Sequence, residues 1–424
     1  REREASAMAA PPPLDPRIRQ ELTALTTKLR RRQVSGFHST AQSTAELLRS
    51  VVTTTRWQVP AQIIDRILAV GRELVAAAPG ELCVGNVVRR VLHIVREEVD
   101  AVTRGPRAVP GARAPTPEGS EGPGAEEGDP GMPQMAGGAS TAPSLHNLLA
   151  GDDGGPGGAR LLAADAGGEV PGASLHEIKQ SIIDGINELI VELKELVNAI
   201  ADQAPEHIHA REVVLTLGRS RIMEAFLRQV ARTKRPFEVF VADTAPAYDG
   251  ADVARRLADA QIQATLIPDA CVFALMARIN KVIIAPHAVM ANGGVVAPAG
   301  CHAVALAAHH HSVPFVVCAG IPQLSPIFPS DPDDLIGLLG PGPVLPYAEA
   351  GGPEFGAAAA EGPEGGVPTT AEAPNPAYDY IPPELVSLFI TNIGGTHASY
   401  IYRLLSEYYS TQDYQLAGLD PTQR

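Results

Sequence analysis

From residue 205 onward the sequence alternates between short aliphatic runs and amphipathic helical stretches, and this alternation constrains the fold more than any other feature. EVVLTLG, FEVFVAD, ATLIP, KVIIAP and VPFVVCA read as strands. SRIMEAFLRQVART, GADVARRLADAQ, DACVFALMARI and VALAAHHH read as the helices between them. Strands that are apolar on both faces need cover on both faces, which helical crossovers supply and hairpins do not. The expected fold is therefore α/β, an open Rossmann-like parallel-sheet domain. Only 4% of the residues are aromatic while 45% are hydrophobic, so Ala, Val, Leu and Ile must fill its core.

The part before that sheet has a different period. IRQELTALTTKLRR, TAELLRSVVTTTRW and AQIIDRILAVGRELVAAA carry apolar residues at three- and four-residue spacing, the mark of amphipathic helices. In VGNVVRRVLHIVREEV, Val84, Val88, Val91, Leu92 and Val95 form one stripe, and Arg89, Arg90, Arg96, Glu97 and Glu98 are expected on a solvated face. The expected order is an N-terminal tail over 1–15 and an N-terminal helical domain over 16–104, followed by a low-complexity linker over 105–173. That linker is rich in Pro, Gly and Glu, cannot bury a core, and holds one short amphipathic island, SLHNLLAG. A long connecting helix is expected over 174–204, with Ser174 and Glu177 as a capping box. The Rossmann-like domain then runs over 205–424, interrupted by a second Gly/Ala/Glu-rich loop at 350–373.

Charge and cysteine content narrow the function. With 34 basic and 48 acidic residues the net charge is −14, which argues against coating nucleic acid, where affinity rests on neutralising phosphates. A local basic patch is compatible with that balance. No apolar run reaches membrane-spanning length and no secretory leader is visible, so the four cysteines are expected to be reduced thiols of an intracellular, cytosolic chain.

Ligands of open parallel sheets bind at the carboxyl ends of the strands. In LTLGRSR, Gly218 ends a strand while Arg219 and Ser220 open a helix, where free amides and an arginine suit an anion. Neither GxGxxG nor GxxxxGKS/T is present, so a plain strand-to-helix turn with a capping serine stands beside the phosphate reading. Asp243 ends another strand and fits a ribose hydroxyl or a loop cap. In ANGGVVAPAGCHAVALAAHHHSVPFVVCAG, the run His309–His311 cannot ligate one ion together, because adjacent helical residues point about 100° apart. Cys301 lacks a visible base and reads as a small buried hydrophobe. ANGG reads as a hairpin-like turn. EHIH is expected to be extended, with His207 and His209 on one face. No metal and no cofactor is expected.

Several segments together resemble one family. VGNVVRRVLHIVREE, INELIVELKELVNAIADQAPEHIH, VIIAPHAVMANGG, FVVCAGIPQLSPIFP and NPAYDYIPPELVSLFITNIGG are similar to the regulatory subunits of eukaryotic translation initiation factor 2B. The ending THASYIYRLLSEYY most resembles the beta branch. The family in turn resembles methylthioribose-1-phosphate isomerases, whose motifs carry a cysteine after the first strand and an aspartate before the Asn-Gly turn. Here Gly218 and His287 stand in those places. The resemblance implies a retired enzyme fold used as a scaffold, with an active sugar-phosphate isomerase as the alternative. It implies a regulatory, non-catalytic subunit of a hetero-decamer that exchanges GDP for GTP on initiation factor 2 and senses phosphorylation of that factor's alpha subunit. Its implied partners are the delta subunit, most closely, with the alpha, gamma and epsilon subunits, and neither nucleic acid nor membrane. The residues expected to matter are Gly218, Arg219, Ser220, His287, Asn292 and Gly293 as a vestigial ligand pocket. Asn86 and Arg89 are expected to meet initiation factor 2, and Glu206, His207, His209, Asn392, Tyr400, Arg403 and Tyr408 to form subunit contacts.

Overall fold

The computed structural model describes residues 14–34, 36–104, 172–329, 331, 335–344 and 373–414. The island SLHNLLAG and the loop at 350–373 lie outside or almost outside these residues. Chain packing separates a unit of Arg1–Asp100 with Val170–Arg424 from a second over Ala101–Glu169. The sheet and the residues of every candidate site belong to the first unit.

Among the described residues, five long helices precede the sheet. Helix α1 (Pro16–Arg30) starts where Pro16 presets the first turn and the Asp15 carboxylate accepts the Arg17 amide at 2.9 Å. It is followed by α2 (Phe37–Thr54), α3 (Pro60–Ala77), α4 (Leu82–Arg104) and α5 (Gly172–Asp202). Helix α5 begins at Gly172, two residues ahead of the expected N-cap Ser174. Its stripe of Ile178, Ile182, Ile186, Leu189, Leu193 and Leu196 is buried, as the spacing predicts. Ala204–His207 then forms one helical turn opened by Pro205, and Ile208 after it is extended. The expected extended EHIH is corrected there, because a proline near a helix start favours the turn.

The main sheet has strands β1 (Val213–Leu217), β2 (Glu238–Ala242), β3 (Gln263–Ile267), β4 (Lys281–Ile284), β7 (Phe315–Cys318), β9 (Leu388–Thr391) and β10 (Gly394–Thr396). Their order is β10-β9-β7-β4-β1-β2-β3. All neighbours pair in parallel except β10 on β9. Helices α6 (Arg221–Arg232), α7 (Asp249–Asp259) and α8 (Cys301–His310) are crossovers, and α9 (Ile401–Tyr408) is the last α-helix among the described residues. The segment DACVFALMARI is not one helix. It is a 3-10 turn, four α-helical residues and a second 3-10 turn. Here the chain leaves β3 at one sheet edge and returns past β1 to make β4, so this connection reverses the strand order. A second sheet, β5 (Ala288–Val289), β6 (Val295–Pro298) and β8 (Tyr378–Ile381), is antiparallel and follows the predicted ANGG turn.

Alternate residues of the strands enter two cores. Val214, Val239, Val241, Ile283, Val316 and Ile390 pack with α6 and with the N-terminal helices in one continuous cluster. Leu215, Leu217, Phe240, Val282, Ile284, Val317 and Phe389 pack with α8 and α9 on the other face. The helical layer therefore shares its core with the sheet.

Candidate functional site

The strand order reverses between β1 and β4, and in open sheets this switch point is where a ligand crevice forms. Gly218 follows β1 with φ +80°, and its amide donates to Thr244 Oγ1 at 3.3 Å. Pro298 of β6 lies over it: a Cβ at Gly218 would sit 3.0 Å from Pro298 Cγ. Arg219 is exposed, and Ser220 takes the N-cap position of α6 without a side-chain capping bond. Beyond β4, His287 is buried. Its amide donates to Val296 O of β6 at 2.8 Å, and its Nε2 lies 3.1 Å from Gly80 O and 3.9 Å from Glu81 Oε2. Its ring stacks on Tyr378, with centroids 4.3 Å apart. Asn292 donates to the Tyr380 hydroxyl at 2.7 Å and accepts from Gly294 N at 2.9 Å, while Gly293 takes φ +81° in the turn. The crevice is thus covered by the small sheet, and the polar groups of His287 and Asn292 are committed to internal partners.

The open space is displaced from the switch point. A cavity of about 520 Å³ lies at the ends of β1, β2 and β3, lined among others by Leu217, Pro246, Asp269, Phe273, Gly300 and Asn375. None of the six residues expected to form a pocket lines it. Its anion positions are already filled by the chain. Asp379 accepts the Gly300 and His302 amides at the start of α8 at 2.7 and 3.1 Å, and Asp269 accepts the Thr244 and Ala245 amides at 2.9 and 2.7 Å. A carboxylate at a helix start satisfies the free amides that would otherwise attract a phosphate. Cys301 and Cys318 are fully buried, and burial pushes both thiols well above the ordinary range, which makes them inert packing groups. Among the described residues no three His, Cys, Asp or Glu side chains come together to hold a metal ion, and no helix is long and apolar enough to cross a membrane.

The polar centre that the spacing rules did not reveal joins α4 to the end of the chain. Arg96 holds the Asp413 carboxylate with two bonds, Nε to Oδ2 at 2.9 Å and Nη2 to Oδ1 at 2.8 Å. It also donates to Gln412 Oε1 at 2.9 Å. Arg89, fully buried, donates to Asp413 O at 3.1 Å. Arg90 donates to Tyr408 O at 3.1 Å and lies 4.3 Å over the Tyr408 ring. Asn86 donates to Pro322 O at 3.3 Å, and Tyr409 donates its hydroxyl to Leu324 O at 2.9 Å. Asn86, Arg89 and Tyr408 are therefore interior, and their expected roles at a partner's surface are corrected: α4 lies beneath the C-terminal segment instead of facing solvent. No sequence rule pairs side chains more than 300 positions apart in the chain.

The remaining expected contact residues fall into two groups. Tyr400 is exposed at 38% beside edge strand β10, and Ile393 and Tyr402, outside the expected set, are exposed there at 59% and 58%. Arg403 is exposed, 5.5 Å over the Tyr400 ring, and donates to Glu407 at 3.0 Å. His207 reaches the same edge, since a Cβ at Gly395 would lie 3.8 Å from its ring. Its carbonyl accepts from Lys281 Nζ, and burial first, then the Lys281 charge, lowers its imidazole pKa. Glu206 and His209 are exposed, whereas Asn392 turns inward and accepts from Ile321 N at 3.0 Å. Exposed aromatic and arginine side chains beside an open strand edge suit a protein interface.

The comparisons with known proteins agree with this scaffold. Residues 157–398 match the model of the initiation factor 2 subunit family. The chain belongs to that family. It is 40% identical to translation initiation factor eIF2B subunit beta of Dictyostelium discoideum, over 91% of this chain and 94% of the relative. It is 36% identical to the Schizosaccharomyces pombe protein of the same name, over 92% of this chain and 96% of that one. A chain of the crystal structure of the tetrameric eIF2B-beta2-delta2 complex from C. thermophilum superposes with a TM-score of 0.61 at 25% identity, covering 92% of this chain and 95% of that chain. These relatives are named as initiation factor subunits, so the isomerase alternative is not favoured.

Proposed function

We propose that this chain is a beta-type regulatory subunit of the initiation factor 2B exchange complex. It would serve as a non-catalytic scaffold that helps the complex exchange GDP for GTP on initiation factor 2 and respond to phosphorylation of that factor's alpha subunit. The observation that carries this reading is the near end-to-end similarity to relatives named eIF2B subunit beta. The switch point supports it: Gly218 offers no side chain there, and His287 is held in the interior beside Gly80 O. Replacement of the isomerases' cysteine and aspartate by these residues is part of the proposal. So is a cytosolic location.

The proposed partner is a delta-type subunit, with alpha, gamma and epsilon subunits completing the assembly. The face of Ile393, Tyr400, Tyr402 and Arg403 at the β10 edge, extended by Glu206, His207 and His209, is the proposed subunit contact. Native mass spectrometry of the chain, alone and co-expressed with its proposed partners, tests the reading. A hetero-oligomer that forms only with this chain supports it. A stable homo-oligomer indifferent to those partners, with turnover of methylthioribose 1-phosphate, overturns it.

A further inference from the structure

The end of α1 carries the densest block of positive charge in the described chain, Lys28, Arg30, Arg31 and Arg32, in a protein whose net charge is −14. All four side chains are exposed, and none forms an ion pair among the described residues. Other arginines of the helical layer are engaged: Arg17 with Glu21 and Arg19 with Glu73, each at 3.3 Å, and Arg96 with Asp413 at 2.8 Å. The carbonyl end of a helix attracts cations in its last turn, which accounts for Lys28 and Arg30. It does not account for Arg31 and Arg32, which lie past the helix end.

Two features make the block unfavourable without a counter-charge. Lys28, Arg30, Arg31 and Arg32 place four like charges within five residues, where they repel one another. Arg32 also takes a left-handed backbone conformation, φ 51°, at the position after a helix where glycine is the usual residue. The turn is fixed by Arg31 N to Thr27 O at 3.0 Å, Arg32 N to Leu29 O at 2.9 Å and Gln33 N to Lys28 O at 2.9 Å. A glycine would make those bonds with less strain. At the Tyr378 hydroxyl, whose pKa is raised first by burial, Glu81 raises it further and Arg32 opposes the rise; Glu81 itself is engaged elsewhere. Its carboxylate already lies 3.9 Å from His287 Nε2 and 4.0 Å from Cys83 Sγ.

We propose that the exposed cations Lys28, Arg30, Arg31 and Arg32 at the end of α1 form a docking surface for an acidic polypeptide segment of a partner protein. Arginine favours this role because its planar fork matches a carboxylate with two bonds. Four cations in one helical turn and its exit suit a short run of Glu or Asp. A nucleic acid backbone spreads its phosphates over a length that one block of four cations at a helix end does not match. The surface is independent of the β10 edge and of the assembly proposed above.

The test is fluorescence anisotropy of the full chain with a labelled glutamate-rich dodecapeptide, and with a single-stranded RNA of equal charge, over a salt series. The expected result is peptide binding that weakens as salt rises. K28Q/R30Q/R31Q/R32Q should weaken it about tenfold or more, with a thermal unfolding temperature no lower than wild type, because exposed pairs are individually small and act together. R32G, which relaxes the turn and removes one charge, serves as the second variant if the quadruple one fails to fold, and should weaken binding a few-fold. Tighter binding of the RNA, or peptide binding that both variants leave unchanged, overturns the proposal.

Discussion

Asp413→Ala isolates the bond between α4 and the end of the chain. Asp413 is buried, and its carboxylate meets both Nε and Nη2 of Arg96 within 2.9 Å. Removing one partner of a fully buried ion pair costs about 3–5 kcal/mol. The Arg96 side chain keeps 29% of its surface in water, so part of its charge is resolvated, and the expected loss falls to about 2 kcal/mol. Arg89 retains its bond to Asp413 O, a main-chain atom that the substitution leaves in place. For a fold of this size, with an unfolding entropy of about 2 cal/mol/K per residue, that loss corresponds to a drop of about 2–3 °C in Tm. The assay is thermal and urea unfolding of the wild type, Asp413→Ala, Arg96→Met and the double variant. The pair should show a coupling energy of about 1–2 kcal/mol in the double-mutant cycle. A Tm within about 1 °C of wild type for Asp413→Ala, or additive losses in the double variant, would refute the claim that this pair fastens the C-terminal segment to α4.

Other outcomes follow from single sites. Gly250→Ala would place a Cβ 2.3 Å from Ala242 O and 2.6 Å from Asp243 Cα, both main-chain atoms, so it should lower Tm more than Gly218→Ala, whose Cβ meets the Pro298 ring at 3.0 Å. Native thiol titration at pH 8 with a bulky disulfide reagent should modify partly exposed Cys271 alone, and all four cysteines after unfolding, since Cys83, Cys301 and Cys318 are buried. Burial raises the Glu192 carboxyl pKa against the opposing pull of Arg90 and Tyr408. A raised acid pKa means the folded state holds its proton longer, so this group's contribution to stability falls as pH rises from the unfolded carboxyl pKa through the raised folded value. Glu192→Gln should remove that slope, and urea titrations at pH 5 and pH 7 should show the variant gaining on wild type at the higher pH.

The sequence by itself determined the fold class and the five parallel strands β1, β2, β3, β4 and β7. Runs such as VVLTL and KVII are apolar at nearly every position because both sheet faces are covered, and that local signal is complete within five residues. The stripes of α4 and α5 and the turn at Asn292–Gly293 are equally local. Cys301 and the histidine run were readable as scaffold for the same reason: their neighbours lacked the spacing that chemistry needs. The site was less legible. Arg89 and Arg90 lie next to each other in α4, and the charge of each looked like solvent exposure. Both instead find main-chain carbonyls near the end of the chain, and burial of a charge depends on a partner that no window around it contains. The closing of the switch-point crevice by Pro298 and β8 was likewise a matter of which distant strand lands on which edge. Periodicity reports which face of an element is apolar. Only the tertiary structure decides what covers the other face, because that depends on contacts between residues far apart in the chain.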